Sequence, residues 1–251
     1  MKAVGLITAI CLGMALLYAS MDFPPWADPQ SPASVHLSPH YIEEAINETS
    51  VPNIVTAVLA DYRGFDTMFE TAVIFAAGIA VLLILRKFTK DDEESYLPEL
   101  SDEVEPDIIV QTITRIIVPF TQLFALYVIA HGHHSPGGGF QGGVILGASF
   151  ILLAISFSLK EMLQRFSERK DILLGGLGLL VYSGIGILCV ILGENFLNYK
   201  ALHFIIPGAT SVTARSHGIL GVEIGVALAV MAIMVAIYSN ISSDGKYDKG
   251  L

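Results

Sequence analysis

Six apolar stretches of near-membrane length constrain this chain more than any other feature. They cover residues 3–19, 68–85, 108–130, 140–159, 172–192 and 218–238. An apolar helix of about 20 residues crosses the roughly 30 Å hydrocarbon layer at about 1.5 Å per residue. Lipid offers no partners for exposed backbone groups, so an isolated span must close its hydrogen bonds as a helix. Composition agrees: 53% of residues are hydrophobic and only 15% are charged, where soluble domains carry about 25% charged residues. The expected fold is an all-α integral membrane protein of about six transmembrane helices. The first stretch follows Lys2 as a signal peptide would, but Tyr18 stands where a cleavage site wants a small residue. It is therefore expected to remain as a span.

Basic residues set an orientation. With six spans, Lys2, Arg86, Lys87, Lys90, Lys160, Arg165, Arg169, Lys170, Lys246 and Lys249 fall on one side, and only Arg63, Lys200 and Arg215 on the other. The positive-inside rule then places both termini in the cytoplasm. The net charge of −10 owes much to the acidic run "DDEESYLPELSDEVEP", residues 91–106. That run reads as a solvated linker and argues against nucleic acid as a partner. Cys11 and Cys189 lie inside apolar spans and read as packing residues, with no disulfide implied.

The acidic linker separates residues 1–90, with two spans and a long external segment, from residues 107–251, with four spans. The external segment opens with a Pro- and Ser-rich run that reads as irregular, and "YIEEAINETS" after it reads as a short helix. In "VPNIVTAVLADYRGFDTMFE", Pro52 suits a first helical turn, and Ile54, Val55, Val58 and Leu59 form an amphipathic stripe too short to span. Thr67 to Glu70 reads as a capping box opening the second span.

The turn between the third and fourth spans is "HGHHSPGGGFQGG". No Gly-Lys-Ser/Thr follows its glycines, so it is not a phosphate-binding loop. His131, His133 and His134 offer imidazole ligands, yet no acidic or thiol residue is nearby and the spacing is not a helical pair. A polar turn at the membrane surface and a role in proton uptake both fit, because histidine titrates near neutral pH. Gly137, Gly138 and Gly139 permit a sharp reversal after Pro136. Gly143 with Gly147, and Gly221 with Gly225, form small-residue faces for close helix packing.

Charged groups within spans are costly and point to function by default. Glu223 lies two residues, about 200° of rotation, from Gly221 and Gly225, so it should face a different neighbour or a wet cavity. A carboxyl buried there can carry a proton near neutral pH, or serve as a paired structural group. Glu70 and Asp66, one turn apart, read as a helix cap or as a carboxylate pair at the mouth of an ion path. Arg115, followed by Pro119, reads as a snorkelling or partner-pairing residue.

"GHHSPGGGFQGGVILGASF" (132–150) resembles the signature of the B subunit of Mrp-type multisubunit sodium/proton antiporters, a likeness running from about residue 107 to the end. "NIVTAVLADYRGFDTMFE" (53–70) resembles the end part of the large A subunit of that family, whose counterpart, the E subunit of archaeal membrane-bound hydrogenases, is a separate chain. The two are adjoined here in the family's order. Two departures stand out. Phe69 precedes Glu70 where the family has Gly, so a ring could narrow what passes beside Glu70. Three histidines also precede the Ser-Pro-Gly run where the family has one.

The resemblance implies a non-catalytic membrane subunit with no cofactor of its own. Its implied partners are other Mrp-type subunits, lipid, Na+ and H+, with or without a hydrogenase- or sulfur-reductase-like redox arm. Three readings follow. In the first, Asp66, Glu70 and Glu223 line an ion path. In the second, the chain is a scaffold for a stand-alone antiporter, and its glycine faces matter most. In the third, the histidines hold a metal for catalysis, which requires stoichiometric metal in the purified protein.

Overall fold

The computed structural model describes residues 2–90, 107–165 and 167–243. The acidic linker at 91–106 lies outside the described residues. The chain forms helices α1 (Lys2–Ser20), α2 (Ser38–Thr49), α3 (Ile54–Ala57), α4 (Gly64–Lys90), α5 (Ile108–His131), α6 (Gly139–Ser156), α7 (Leu159–Arg165), α8 (Glu168–Ile191) and α9 (Ser211–Ser242). Single π-helical turns at Ala33–Leu37 and Val58–Tyr62 and a 3-10 turn at Tyr199–Phe204 join them, and the described residues include no strand. Six of these helices, α1, α4, α5, α6, α8 and α9, are long and apolar enough to cross a membrane. The protein is an all-α multi-pass membrane protein.

Chain packing separates residues 1–44 from residues 45–251. In the first unit, α1 is apolar all round and none of its membrane-length window is buried, so its surface suits lipid or another protein chain. Residues 21–31 are turns and coil, as their prolines require, but Ala33–Leu37 and α2 are helical. The irregular stretch is thus shorter than its Pro and Ser content suggests.

In the second unit α9 is the hub, with 72% of its window buried. It lies between α6, which runs parallel to it, and α8, which runs antiparallel. Lipid removes most of the hydrophobic drive between helices, so close backbone approach must supply the adhesion. Glycines permit that approach. A Cβ at Gly143 would sit 2.8 Å from the Ala227 carbonyl oxygen, and one at Gly225 would sit 2.7 Å from the Gly178 carbonyl oxygen. Gly147 meets the Met231 backbone, while Gly221 meets only the Ile185 side chain. On the other side of α6, hydroxyls and an amide join it to α5: Thr114 to Ser156 at 2.7 Å, and Gln122 Nε2 donating to Ser149 Oγ at 3.2 Å.

Several boundaries differ from the apolar runs. The last span begins at Ser211, seven residues before residue 218, because Thr210 and Thr213 form a capping box and the polar turns after it remain helical. The fourth ends at Ser156, since Phe157 and Ser158 turn the chain into α7. The second span begins at Gly64, so Thr67 is no cap: its hydroxyl donates back to the Leu59 carbonyl at 2.8 Å. α3 begins after Pro52, with Asn53 as its N-cap accepting from Val55 N–H. Residues 45–90 pack with the four later spans, so the linker that divides the sequence does not divide the packing.

Candidate functional site

The turn between α5 and α6 is clamped from a distant part of the chain. Gly138 N–H returns to the Val128 carbonyl at 3.2 Å, and His134 N–H to His131 at 3.0 Å. Asn53 then donates from its side chain to the Gly132 and Ser135 carbonyls, each at 2.8 Å, and from its backbone to the His133 carbonyl at 2.9 Å. Thr56 Oγ1 adds a bond to Gly132 at 2.9 Å. The carbonyls of this turn are therefore largely spoken for, which holds His133 in one place.

The three histidines separate by environment. His131 stacks on Tyr127 with centroids 4.8 Å apart, and exposed His134 leans on His131. Only His133 is buried, at 7% exposure. Its Nε2 lies 2.9 Å from the Ser216 carbonyl of α9, and its Nδ1 lies 3.7 Å from Glu223 Oε2. Burial holds this imidazole below its usual value. The Ser216 carbonyl partly offsets that, and His134 and His217 reinforce it. Among the described residues, no three or more His, Cys, Asp or Glu side chains converge as a metal site would need.

Glu223 is itself 7% exposed. Gly139 N–H, the first amide of α6, hydrogen-bonds its carboxyl group, while Oε2 has no hydrogen-bond partner. The seat is shaped by glycine. Gly138 adopts φ +130°, and a Cβ there would lie 2.8 Å from Glu223 Oε1. A Cβ on Gly139 would overlap the Glu223 backbone carbonyl. Gly137 stands against the Val128 carbonyl at the same turn.

Glu223 and Glu70 line one cavity of about 210 Å³, together with Thr56, Thr71, Gln141 and Tyr182. Glu70 is exposed, unlike Glu223. Phe69 is 60% exposed and does not form a wall of this cavity, so its ring does not narrow the space beside Glu70. Asp66 lies elsewhere. It is exposed, paired with Arg63 (Nε to Oδ2, 2.6 Å), and opens on a separate pocket of about 610 Å³. The expected Asp66/Glu70 pair is therefore split: one turn of rise, about 6 Å, sets Asp66 at the pocket of Arg63 and Glu70 at the cavity of Glu223. Arg115 is also remote: it is exposed near the start of α5, with its guanidinium 5.1 Å from the Phe157 ring centroid.

The separate pocket holds a network that sequence reading does not reveal. Arg215 Nε donates to Asp61 Oδ2 at 2.7 Å, and its guanidinium lies over Tyr62, whose hydroxyl donates to Glu48. Burial raises the Asp61 carboxyl, against the pull of Arg215. Two fully buried tyrosines complete the seam: Tyr182 donates to the Gly64 carbonyl at 2.8 Å and Tyr199 to the Ala60 carbonyl at 2.9 Å. No local signal links Asp61 to Arg215, 154 residues away. Asn53 was missed as well, since Pro52 drew the first turn too early, but an Asn directly before the apolar "IVTA" is an N-cap signal that could have found it.

Residues 109–236 match a family described as a domain related to the MnhB subunit of Na+/H+ antiporter, and residues 2–101 match the family of the E subunit of MBH. A protein of Staphylococcus aureus (strain Newman) named as antiporter subunit mnhB2 is 33% identical over 132 residues, covering 51% of this chain and 93% of that one. A protein of Rhizobium meliloti (strain 1021) named as the A/B subunit of a K+/H+ antiporter is 28% identical over 188 residues, 68% of this chain. This chain spans 19% of the length of that longer relative. Among solved structures, the Mrp complex of Dietzia sp. matches with a TM-score of 0.65 at 26% identity, over 99% of this chain and 26% of that one. A chain of an archaeal membrane-bound sulfane sulfur reductase complex shares the fold, with a TM-score of 0.59 at 24% identity over 93% of this chain and 97% of that one.

Proposed function

Because this chain belongs to the family of the MnhB-related subunit of Na+/H+ antiporters, with a segment like the E subunit of MBH preceding that domain, we propose that it contributes to sodium/proton translocation in a non-catalytic role. It is a membrane subunit of Mrp/Mnh-type antiporter-like complexes. The observation that carries the finer reading is the cavity shared by Glu70 and Glu223, with an unpartnered Glu223 oxygen among its polar groups. Two carboxyl groups on one cavity give a cation two successive acceptors. Asp66 is not part of this path. By the positive-inside rule the histidine turn faces outward and both termini are cytoplasmic. The chain sits beside other antiporter subunits, and a redox arm of the hydrogenase or sulfur-reductase kind drives the complex.

The test is Glu223→Gln in membrane vesicles carrying the complex. Proton-coupled sodium movement should fall at least roughly tenfold, the scale of a lost essential acid–base group, while the subunits still co-purify. Normal transport by an assembled variant would sink the reading and favour the second one, a scaffold. The glycine seams of α9 support that alternative. Co-purification from native membranes addresses the redox arm. Nickel or iron–sulfur proteins alongside antiporter subunits support it, and antiporter subunits by themselves remove it.

A further inference from the structure

We propose that His133 and Glu223 form a one-proton pair, in which a proton resting on Glu223 Oε2 is exchanged with Nδ1 of His133. The argument begins with the tautomer. The Ser216 carbonyl oxygen can only accept, so the Nε2 that lies 2.9 Å from it must carry a hydrogen. In a neutral ring Nδ1 is then a bare lone pair. It faces Glu223 Oε2, a buried oxygen with no donor of its own. If both groups are unprotonated, two acceptors confront each other in a site almost closed to water, and both go unsatisfied. One proton between them satisfies both.

The geometry is poised for this. The 3.7 Å separation is too long for a hydrogen bond and must shorten by roughly 1 Å to make one. The surroundings oppose large displacement: Asn53 and Thr56 hold the His133 turn, and the Gly138 and Gly139 backbone presses on Glu223. In the exchange, the O–H bond of Glu223 breaks and an N–H bond forms on His133. The acid becomes carboxylate and the imidazole becomes imidazolium, so the pair's net charge is unchanged. The resting proton sits on the carboxyl, because that leaves both buried groups neutral and avoids placing two charges in a site almost closed to water. The other titratable groups looking onto the pair are Glu70 on α4, across the cavity, and Tyr182 on α8.

This deepens the translocation reading by naming the proton's partner, and its test does not depend on transport. A hydrophobic carbodiimide modifies carboxylic acids in their protonated form. The assembled complex in mild detergent would be treated with dicyclohexylcarbodiimide across pH, and modification of Glu223 read by mass spectrometry. The wild-type chain should be modified at neutral pH. In His133→Gln, an amide N–H can donate to Oε2 and stabilise the carboxylate. Modification at neutral pH should then drop roughly tenfold, the fold-change that one pH unit represents. His134→Gln and His217→Gln should leave the profile close to wild type.

An unmodified Glu223 in the wild-type complex, or a His133→Gln profile matching wild type, would overturn the pair. The wild-type result stands even if His133→Gln fails to assemble, and His133→Asn then supplies the amide. If Glu223 responds to His133 but Glu223→Gln transports normally, the pair holds and the translocation reading falls. If transport is lost and Glu223 is indifferent to His133, only the pair falls.

Discussion

Asp61 and Glu223 are two buried carboxylates at the same end of one bundle, and their surroundings treat them differently. Asp61 has a guanidinium at 2.7 Å, and that guanidinium lies over an aromatic ring. Glu223 has one backbone donor, a histidine just out of reach and an oxygen with none. A fixed ion pair is a good anchor and a poor carrier, because any proton or cation must first displace the arginine. An under-satisfied carboxyl is a weak anchor whose free oxygen can take up a cation. The difference suggests that the first belongs to the architecture and the second to the chemistry.

The largest expected effect comes from the seat of Glu223. Gly139→Leu forces a side chain into the Glu223 backbone, and overpacking against backbone has no flexible atom to yield. The folded chain should be lost from detergent extracts, read as disappearance of the monodisperse peak in size-exclusion chromatography. Gly184→Ala, where an added Cβ meets nothing within 4 Å, is the control and should be stable. A stable Gly139→Leu protein would mean that α6 and α9 are not in register as described.

Arg215→Leu should come next. It leaves Asp61 without its partner in a place where the pair's side chains are 21% and 7% exposed. Breaking a buried pair costs about 3–5 kcal/mol, and the partial exposure of Arg215 moves the expectation to the lower end, about 3 kcal/mol. Glu223→Gln, which keeps shape and removes no ion pair at neutral pH, should cost within about 1 kcal/mol. Thermal unfolding of the two variants side by side measures the comparison directly. Equal losses would erase the distinction between anchor and carrier.

The reach of the sequence follows the same division. The six spans and the glycine seams are periodic or compositional features, and they appear in the structure with shifts at the ends. Glu223 stood out because a charge inside an apolar run is conspicuous. Its pairing with His133 was not legible, because three adjacent histidines look alike until the turn is folded and only the middle one is turned inward. Asp61–Arg215 was hidden for a different reason. Each residue sits among polar neighbours, where a charge attracts no notice, and their contact closes a loop of 154 residues. Asp66 and Glu70 misled through distance along the axis: one turn apart they lie on nearly one face, but a rise of about 6 Å sets Asp66 in the first turn beside Arg63 and its pocket, and Glu70 at the cavity of Glu223.

A smaller effect concerns pH. His133 is held below its usual value of 6.5, chiefly by burial. The folded state therefore prefers the neutral ring, and the unfolded chain takes up a proton first as pH falls. The stability this residue contributes is present above about pH 6.5 and is lost as pH drops through the folded-state value. Melting temperatures of wild type and His133→Gln between about pH 7.5 and 5 would show it as a slope present in the first and flattened in the second. A wild-type slope retained in the variant would assign the dependence to another group.

The smallest effect on stability is expected at Glu70. It shares the cavity with Glu223 but is exposed on this chain, so neutralising it removes no charge buried within the chain. Glu70→Gln should change stability by less than about 0.5 kcal/mol, the usual range for exposed substitutions. Its effect on transport decides whether the cavity is a path. If cations move from one carboxylate to the other, Glu70→Gln should lower the apparent affinity for sodium several-fold while the maximal rate changes less, because Glu223 still completes the passage. If transport is unchanged while Glu223→Gln abolishes it, the cavity is a dead-end pocket, and Glu223 works through His133 alone.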